Sequence, residues 1–176
     1  MNAARLRPYR LLLVVALLVL VVDQITKLII VEWLPVGTYF VGSSLPPVIV
    51  IPDFFYLVHI TNKGAAWGMF EGYTLVLGLL GVVALYSIFH YRATLGLKRP
   101  LMQVAFGLLI GGIIGNMIDR FAYKHVVDFI DLHFGSYRYP SFNIADCGIT
   151  IGVGLYILAT ILDAWKARKN GTVTEG

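Results

Sequence analysis

Four stretches of this chain are apolar for about the length of a bilayer crossing, and that fixes most of what it can become. They run from Leu11 to about Leu34, Tyr73 to Tyr91, Leu101 to Ile118, and from near Asp146 to about Trp165. A hydrocarbon core of about 30 Å is spanned by roughly 17–25 helical residues. The reading is therefore an all-α integral membrane protein with four transmembrane helices in a single domain over residues 1–176. Composition agrees, with 58% hydrophobic residues, 14% charged residues and a mean hydropathy of +0.78. A soluble domain carries about 25% charged residues, and a disordered chain is far less apolar. The single cysteine, Cys147, excludes an internal disulfide and any zinc site built from several thiolates.

The net charge of +4 does not point to nucleic acid, because the basic residues cluster beside apolar runs. Arg5, Arg7 and Arg10, then Arg92, Lys98 and Arg99, then Lys166, Arg168 and Lys169 make nine of the fourteen. With alternating helices all nine fall on one side, so both termini and the 92–100 loop are expected in the cytosol. The first apolar run exceeds the h-region of a cleavable signal and no small-x-small site follows it, so it reads as a retained signal-anchor helix. The polar tail 170–176 is expected to fray.

The two outward loops, 35–72 and 119–145, are where function is expected. The first carries Val48-Ile49-Val50-Ile51 and Phe54-Phe55-Tyr56-Leu57-Val58 around a Pro52-Asp53 break, which predicts a small β-rich platform on the membrane surface between helices 1 and 2. The second concentrates Asp119, Arg120, Lys124, His125, Asp128, Asp131, His133 and Arg138. His59 and His90 read as boundary residues with no visible partner.

Polar residues inside the apolar runs need an explanation, since a carboxylate within a bilayer costs at least about 2.5–3.5 kcal/mol. Asp23 and Lys27 stand four apart and can pair on one helix face, directed into the bundle, with a structural role favoured over a chemical one. Removing Asp23 is expected to leave Lys27 unpaired. Gly111 and Gly115 form a small-xxx-small face for close helix approach. Asn116, Asp119 and Arg120 emerge together just beyond it, where Arg120 can clamp a carboxylate or phosphate, or simply anchor at the interface. Asn143 or Asp146 can cap the fourth helix.

Two carboxylates brought together cannot both ionise easily, so one holds a proton while the other accepts one, and such a pair can activate water against a peptide carbonyl. Asp128 and Asp146, separated by a Gly135 and Tyr139-Pro140 break, can converge from a loop and a helix start, but spacing does not choose them over Asp119 or Asp131. Cys147 has no histidine near it in sequence. His125, Asp128, Asp131 and His133 match no established metal-ligand spacing, so no metal is expected. A proton-relaying transporter using Asp23 and Asp146 is the rival class, and the broken helices or repeat it calls for are not visible.

Five blocks in order then resemble one family: Asp23-Gln24-x-Thr26-Lys27, Asn62-Lys63-Gly64-Ala65-Ala66-Trp67-Gly68, Gly115-Asn116-x-x-Asp119-Arg120, Val126-Val127-Asp128-Phe129 and Phe142-Asn143-x-Ala145-Asp146. Together they look like bacterial lipoprotein signal peptidase (signal peptidase II) over nearly the whole chain. The resemblance implies an aspartic endopeptidase of the inner membrane, acting at the outer leaflet without a cofactor. Its substrates would be prolipoproteins, cut just before a cysteine carrying a diacylglyceryl group. It implies Asp128 and Asp146 as the catalytic pair, with Asp23, Lys27, Asn62, Asn116, Asp119, Arg120 and Asn143 holding the substrate or orienting the pair. Small residues at Gly64, Ala65 and Ala66 suit a mobile cover over the site. Trp67 departs from the family's usual Phe. The oligomeric state is left open.

Overall fold

The computed structural model describes residues 7–39, 44–65 and 69–169. Arg5, Ala66, Trp67 and the 170–176 tail, which figure in the sequence reading, lie outside them. Among the described residues there are four α-helices: α1 (Arg10–Trp33), α2 (Thr74–His90), α3 (Pro100–Ala122) and α4 (Ile144–Lys169). Among the described residues α1, α3 and α4 are long and apolar enough to cross a membrane, while α2, apolar throughout, is 17 residues long. Helices of this length and hydropathy suit a membrane-embedded protein.

The helices are inverted relative to a water-soluble bundle. On α1 the buried stripe is Leu12, Ala16, Asp23, Lys27 and Ile30, one face at three- and four-residue spacing, with the two charges sealed inside it. Leu17, Leu18, Leu28 and Ile29 point outward and are each more than half exposed. Helix α3 is central and packs against the other three. Its glycines make this possible: a Cβ on Gly111 would lie 2.6 Å from the backbone oxygen of Ala16 on α1, and one on Gly115 would lie 2.5 Å from Asp23 Oδ2. The small-xxx-small face expected from the sequence therefore receives α1, and Gly152 of α4 lies as tightly against Ala105.

The sheet departs from the sequence reading. It is a four-stranded antiparallel sheet in the order β1-β2-β3-β4, with β1 (Val48–Ile51) and β2 (Phe55–Asn62) from the α1–α2 segment, and β3 (Val126–Phe134) and β4 (Tyr137–Arg138) from the α3–α4 segment. The platform is thus shared between both loops rather than confined to the first. Asp128 sits on a strand, not a loop. The run Val126-Val127-Asp128-Phe129-Ile130 is rich in β-branched and aromatic residues, and its buried pairing with β2 outweighs the acids interrupting it. A bulge in β2, where Val58 and His59 together oppose Phe129, bends the sheet beside the helix ends.

Two substitutions on one helix test this packing. Gly152→Ala puts a methyl 2.6 Å from the Ala105 oxygen and should cost about 1–3 kcal/mol. Gly154→Ala, with nothing within 4 Å, should be neutral or gain up to about 1 kcal/mol from helix propensity. Melting curves in detergent should show a lower midpoint for Gly152→Ala and an unchanged or higher one for Gly154→Ala.

Candidate active site

The site is assembled where the end of α3, the start of α4 and strands β2 and β3 meet. Its foundation is Lys27. The ammonium lies 2.8 Å from Asp23 Oδ2, 2.8 Å from Asp119 Oδ2 and 3.1 Å from Asn116 Oδ1, so all three of its donors are used. Lys27, Asp23 and Asp119 are all buried. Gln24 extends the network, its Nε2 donating to Asp23 Oδ2 and Asp119 Oδ1 at 3.1 Å each. The expectation that losing Asp23 strands Lys27 is corrected here, because Asp119 and Asn116 still hold it. What Asp23 alone provides is Oδ1, which accepts from the Ala145 backbone N–H at 2.9 Å and caps α4 from across the bundle.

Asn143 joins this base to the two carboxylates above it. It is the N-cap of α4: its Oδ1 accepts from the Asp146 N–H at 3.0 Å, and Asp146 Oδ2 accepts from the Asn143 N–H at 3.2 Å. This reciprocal box satisfies two otherwise orphaned donors. Capping therefore involves both Asn143 and Asp146 rather than one of them alone. The Asn143 Nδ2 then donates to Asp128 Oδ1 at 2.8 Å. Asn62 on β2 donates to Asp128 Oδ2 at 2.9 Å, and Asn116 on α3 donates to Asp146 Oδ1 at 2.8 Å. Three asparagines therefore orient one pair of carboxylates.

Geometry distinguishes the four aspartates that spacing left open. Asp119 is engaged by Lys27, Gln24 and the Val127 N–H. Asp131, three residues along β3 from Asp128, is paired with Arg138 at 2.6 Å and 2.8 Å, with His133 at 2.9 Å and with Ser141. Asp128 and Asp146 line a cavity of about 1000 Å³. Burial first, and then the charge of Asp146, push the Asp128 carboxyl up from 3.8 to about 7, against the opposing pull of Asn62, Asn143 and Lys27. Of His125, Asp128, Asp131 and His133 only Asp131 and His133 are in contact, and among the described residues no three metal-type ligands gather. Cys147, half-buried on α4, follows Asp146.

Arg120 and Asn116 also line the cavity, with Gly64 beside them. Arg120 donates to the backbone oxygens of Asn116 at 3.3 Å and Gly64 at 3.2 Å. Its Nε is the one sealed side-chain nitrogen or oxygen among the described residues without a partner. Gln24 and His59 were not picked out as site residues from the sequence. Gln24 stands beside Asp23 in an apolar helix, which is itself a signal. His59, read as a partnerless boundary residue, is in fact buried, with Nδ1 2.7 Å from the Leu34 oxygen. His90 packs between the rings of Tyr86 and Tyr91.

Fold and site together define a membrane-embedded helical protein with paired, asparagine-held carboxylates in a cavity at one end of its bundle. Residues 15–162 match the family described as signal peptidase (SPase) II. The chain is 38% identical over 159 residues to the lipoprotein signal peptidase of Bacillus pumilus (strain SAFR-032), covering 90% of this chain and 97% of that one. Two solved structures of a bacterial membrane enzyme, obtained by the in meso method at 2.3 Å and 1.9 Å, are each 36% identical, with TM-scores of 0.74 and 0.72. They cover 87% and 85% of this chain, and 88% and 91% of their own. The chain belongs to the signal peptidase II family, a family of peptidases.

Two measurements test the electrostatics. Lys27→Met leaves Asp23 and Asp119 buried without their cation and should cost about 3–5 kcal/mol in detergent melting. Because the folded-state value of Asp128 lies above its unfolded value, the folded chain keeps a proton that the unfolded chain has lost. Asp128 therefore lowers stability progressively as pH rises from about 4 to about 7. Asp128→Asn lacks this contribution, so its melting temperature relative to wild type should move upward across that window.

Proposed function

We propose that the chain is an aspartic endopeptidase that removes signal peptides from prolipoproteins, cutting before a diacylglyceryl-modified cysteine with Asp128 and Asp146. The observation that carries this reading is the pairing itself. Both carboxylates face one cavity, both are held by Asn143, and one of them titrates near neutrality. A pair sharing one proton offers an acid and a base together. The ionised member takes a proton from water, whose oxygen forms a bond to the scissile carbonyl carbon while the protonated member donates to the carbonyl oxygen. Collapse breaks the C–N bond, and the proton gained from water passes to the leaving amine. Because the pair is coupled, the proton belongs to both carboxyls and not to either alone.

The rest of the site supports the same reaction. Arg120, with an unpaired Nε–H and two long bonds to backbone oxygens, is suited to donate to a substrate carbonyl, which would satisfy a donor that otherwise stays unpaired. The apolar outer faces of the helices leave a lipid-anchored substrate's acyl chains in the bilayer while its peptide reaches the cavity. We assign four spans, both termini to the cytosol, and the sheet and cavity to the outer leaflet of the bacterial inner membrane, from the basic clusters at Arg92, Lys98, Arg99 and Lys166. The segment around Gly64 and Ala65 serves as a cover, tied down by Arg120 on the Gly64 oxygen.

The test is cleavage of a diacylglyceryl-modified prolipoprotein by the purified protein, with the unlipidated precursor alongside. The lipidated substrate should be cut and the unlipidated one should not. Asp128→Asn and Asp146→Asn should each remain folded and lose activity by at least about 10³-fold. Above about pH 7 the shared proton is lost, and kcat/KM should fall about tenfold per unit. Full activity in either variant contradicts the mechanism.

A further inference from the structure

His59 is held in a way that its location in the middle of an apolar strand does not require. The β2 bulge turns Val58 and His59 inward consecutively, breaking the alternation of the strand. Its backbone pairs with the segment after α1, with His59 N–H donating to the Thr38 oxygen at 3.1 Å and Gly37 N–H donating to the His59 oxygen at 2.9 Å. The ring is fixed as well. A carbonyl can only accept, so the 2.7 Å contact with the Leu34 oxygen makes Nδ1 a donor, and in the neutral ring Nε2 is then the nitrogen with a lone pair.

That lone pair has no partner among the described residues. His59 is only 2% exposed. Since Arg120 Nε is the only sealed side-chain nitrogen or oxygen there without a partner, the small accessible part of His59 includes Nε2. His59 lines the cavity that contains Asp128 and Asp146. The cavity runs from Ile149 and Thr150 on α4, at the bundle, to Gly37, Tyr39, His59 and Tyr139 around the sheet. An apolar signal segment belongs at the helical end, in the bilayer. The chain beyond the cut then leaves over the sheet, past His59.

We propose that His59 is a substrate-binding residue that accepts a backbone N–H of the substrate on the mature-protein side of the scissile bond. The inference rests on the peptidase reading above. A buried acceptor aligned by its own second nitrogen is suited to an extended peptide, which presents backbone N–H groups whatever its side chains, and so permits a broad range of mature sequences.

The experiment uses the full-length protein in lipid nanodiscs and diacylglyceryl-modified peptides carrying an N-methyl group at each of the first few positions after the modified cysteine. His59→Asn retains a donor near the place of Nδ1 and removes Nε2. One N-methyl position should lower wild-type kcat/KM by about five- to tenfold through KM. His59→Asn should lose a similar factor on the unmethylated peptide, with kcat unchanged, and show no further loss at that position. Wild-type KM in His59→Asn, or equal N-methyl penalties in both proteins, would overturn the proposal while leaving the peptidase reading intact. Should His59→Asn fail to fold, the wild-type series alone decides: absence of a position-specific KM penalty overturns the proposal, and its presence supports it. A wild type that cuts no lipidated peptide overturns the peptidase reading and this inference with it.

Discussion

A buried ammonium holds the two halves of this molecule together. Lys27 on α1 binds Asp23 on its own helix and Asp119 and Asn116 on α3, and each of those partners has a second task. Asp23 caps the first turn of α4, Asp119 accepts from β3 at Val127, and Asn116 donates to Asp146. In a bilayer there is no water to take over any of these bonds, so an incomplete network is disfavoured by the full desolvation of whatever is left over. The charged stripe of α1 is therefore buried and the leucines face outward.

On that base the carboxylates are held in an environment that disfavours charge. Asp128 is surrounded by amide donors, which favour its ionised form, yet burial and the neighbouring Asp146 outweigh them. Asn143 links structure to chemistry most directly. One side chain closes the N-terminus of α4 through its oxygen and holds Asp128 through its nitrogen, so the start of a helix and the geometry of the carboxylate pair cannot vary independently. A buried carboxyl whose titration is shifted this far by desolvation and a second carboxyl is more often found at functional sites than at structural ones.

Much of this was legible in the sequence, for physical reasons that can be named. The apolar runs announce helices, Asp23 and Lys27 at a spacing of four announce a buried pair, and Gly111 with Gly115 announces a close crossing. The sheet was only half legible. Val48 to Ile51 is a short β-branched run bounded by Pro47 and Pro52-Asp53, whereas Val126 to Phe134 is interrupted by Asp128 and Asp131, and its strand character depends on pairing with a segment more than sixty residues away. Lys27's second carboxylate was hidden for the same reason, since Asp119 lies on another helix. His59 was illegible because a bulge reverses the direction that period-two alternation assigns. The residues that carry the resemblance are largely those at which several elements converge, which is why they were recognisable in order while their contacts were not.

The proposed mechanism requires Asp128 and Asp146 to share one proton near neutral pH. Infrared difference spectroscopy between about pH 5 and about pH 9 reads this directly from the C=O stretch of a protonated carboxyl. Wild type should show a protonated carboxyl that titrates near pH 7 and is lost or displaced in Asp128→Asn. A wild-type spectrum with no carboxyl titrating above about pH 5, or one unchanged by Asp128→Asn, would contradict the account.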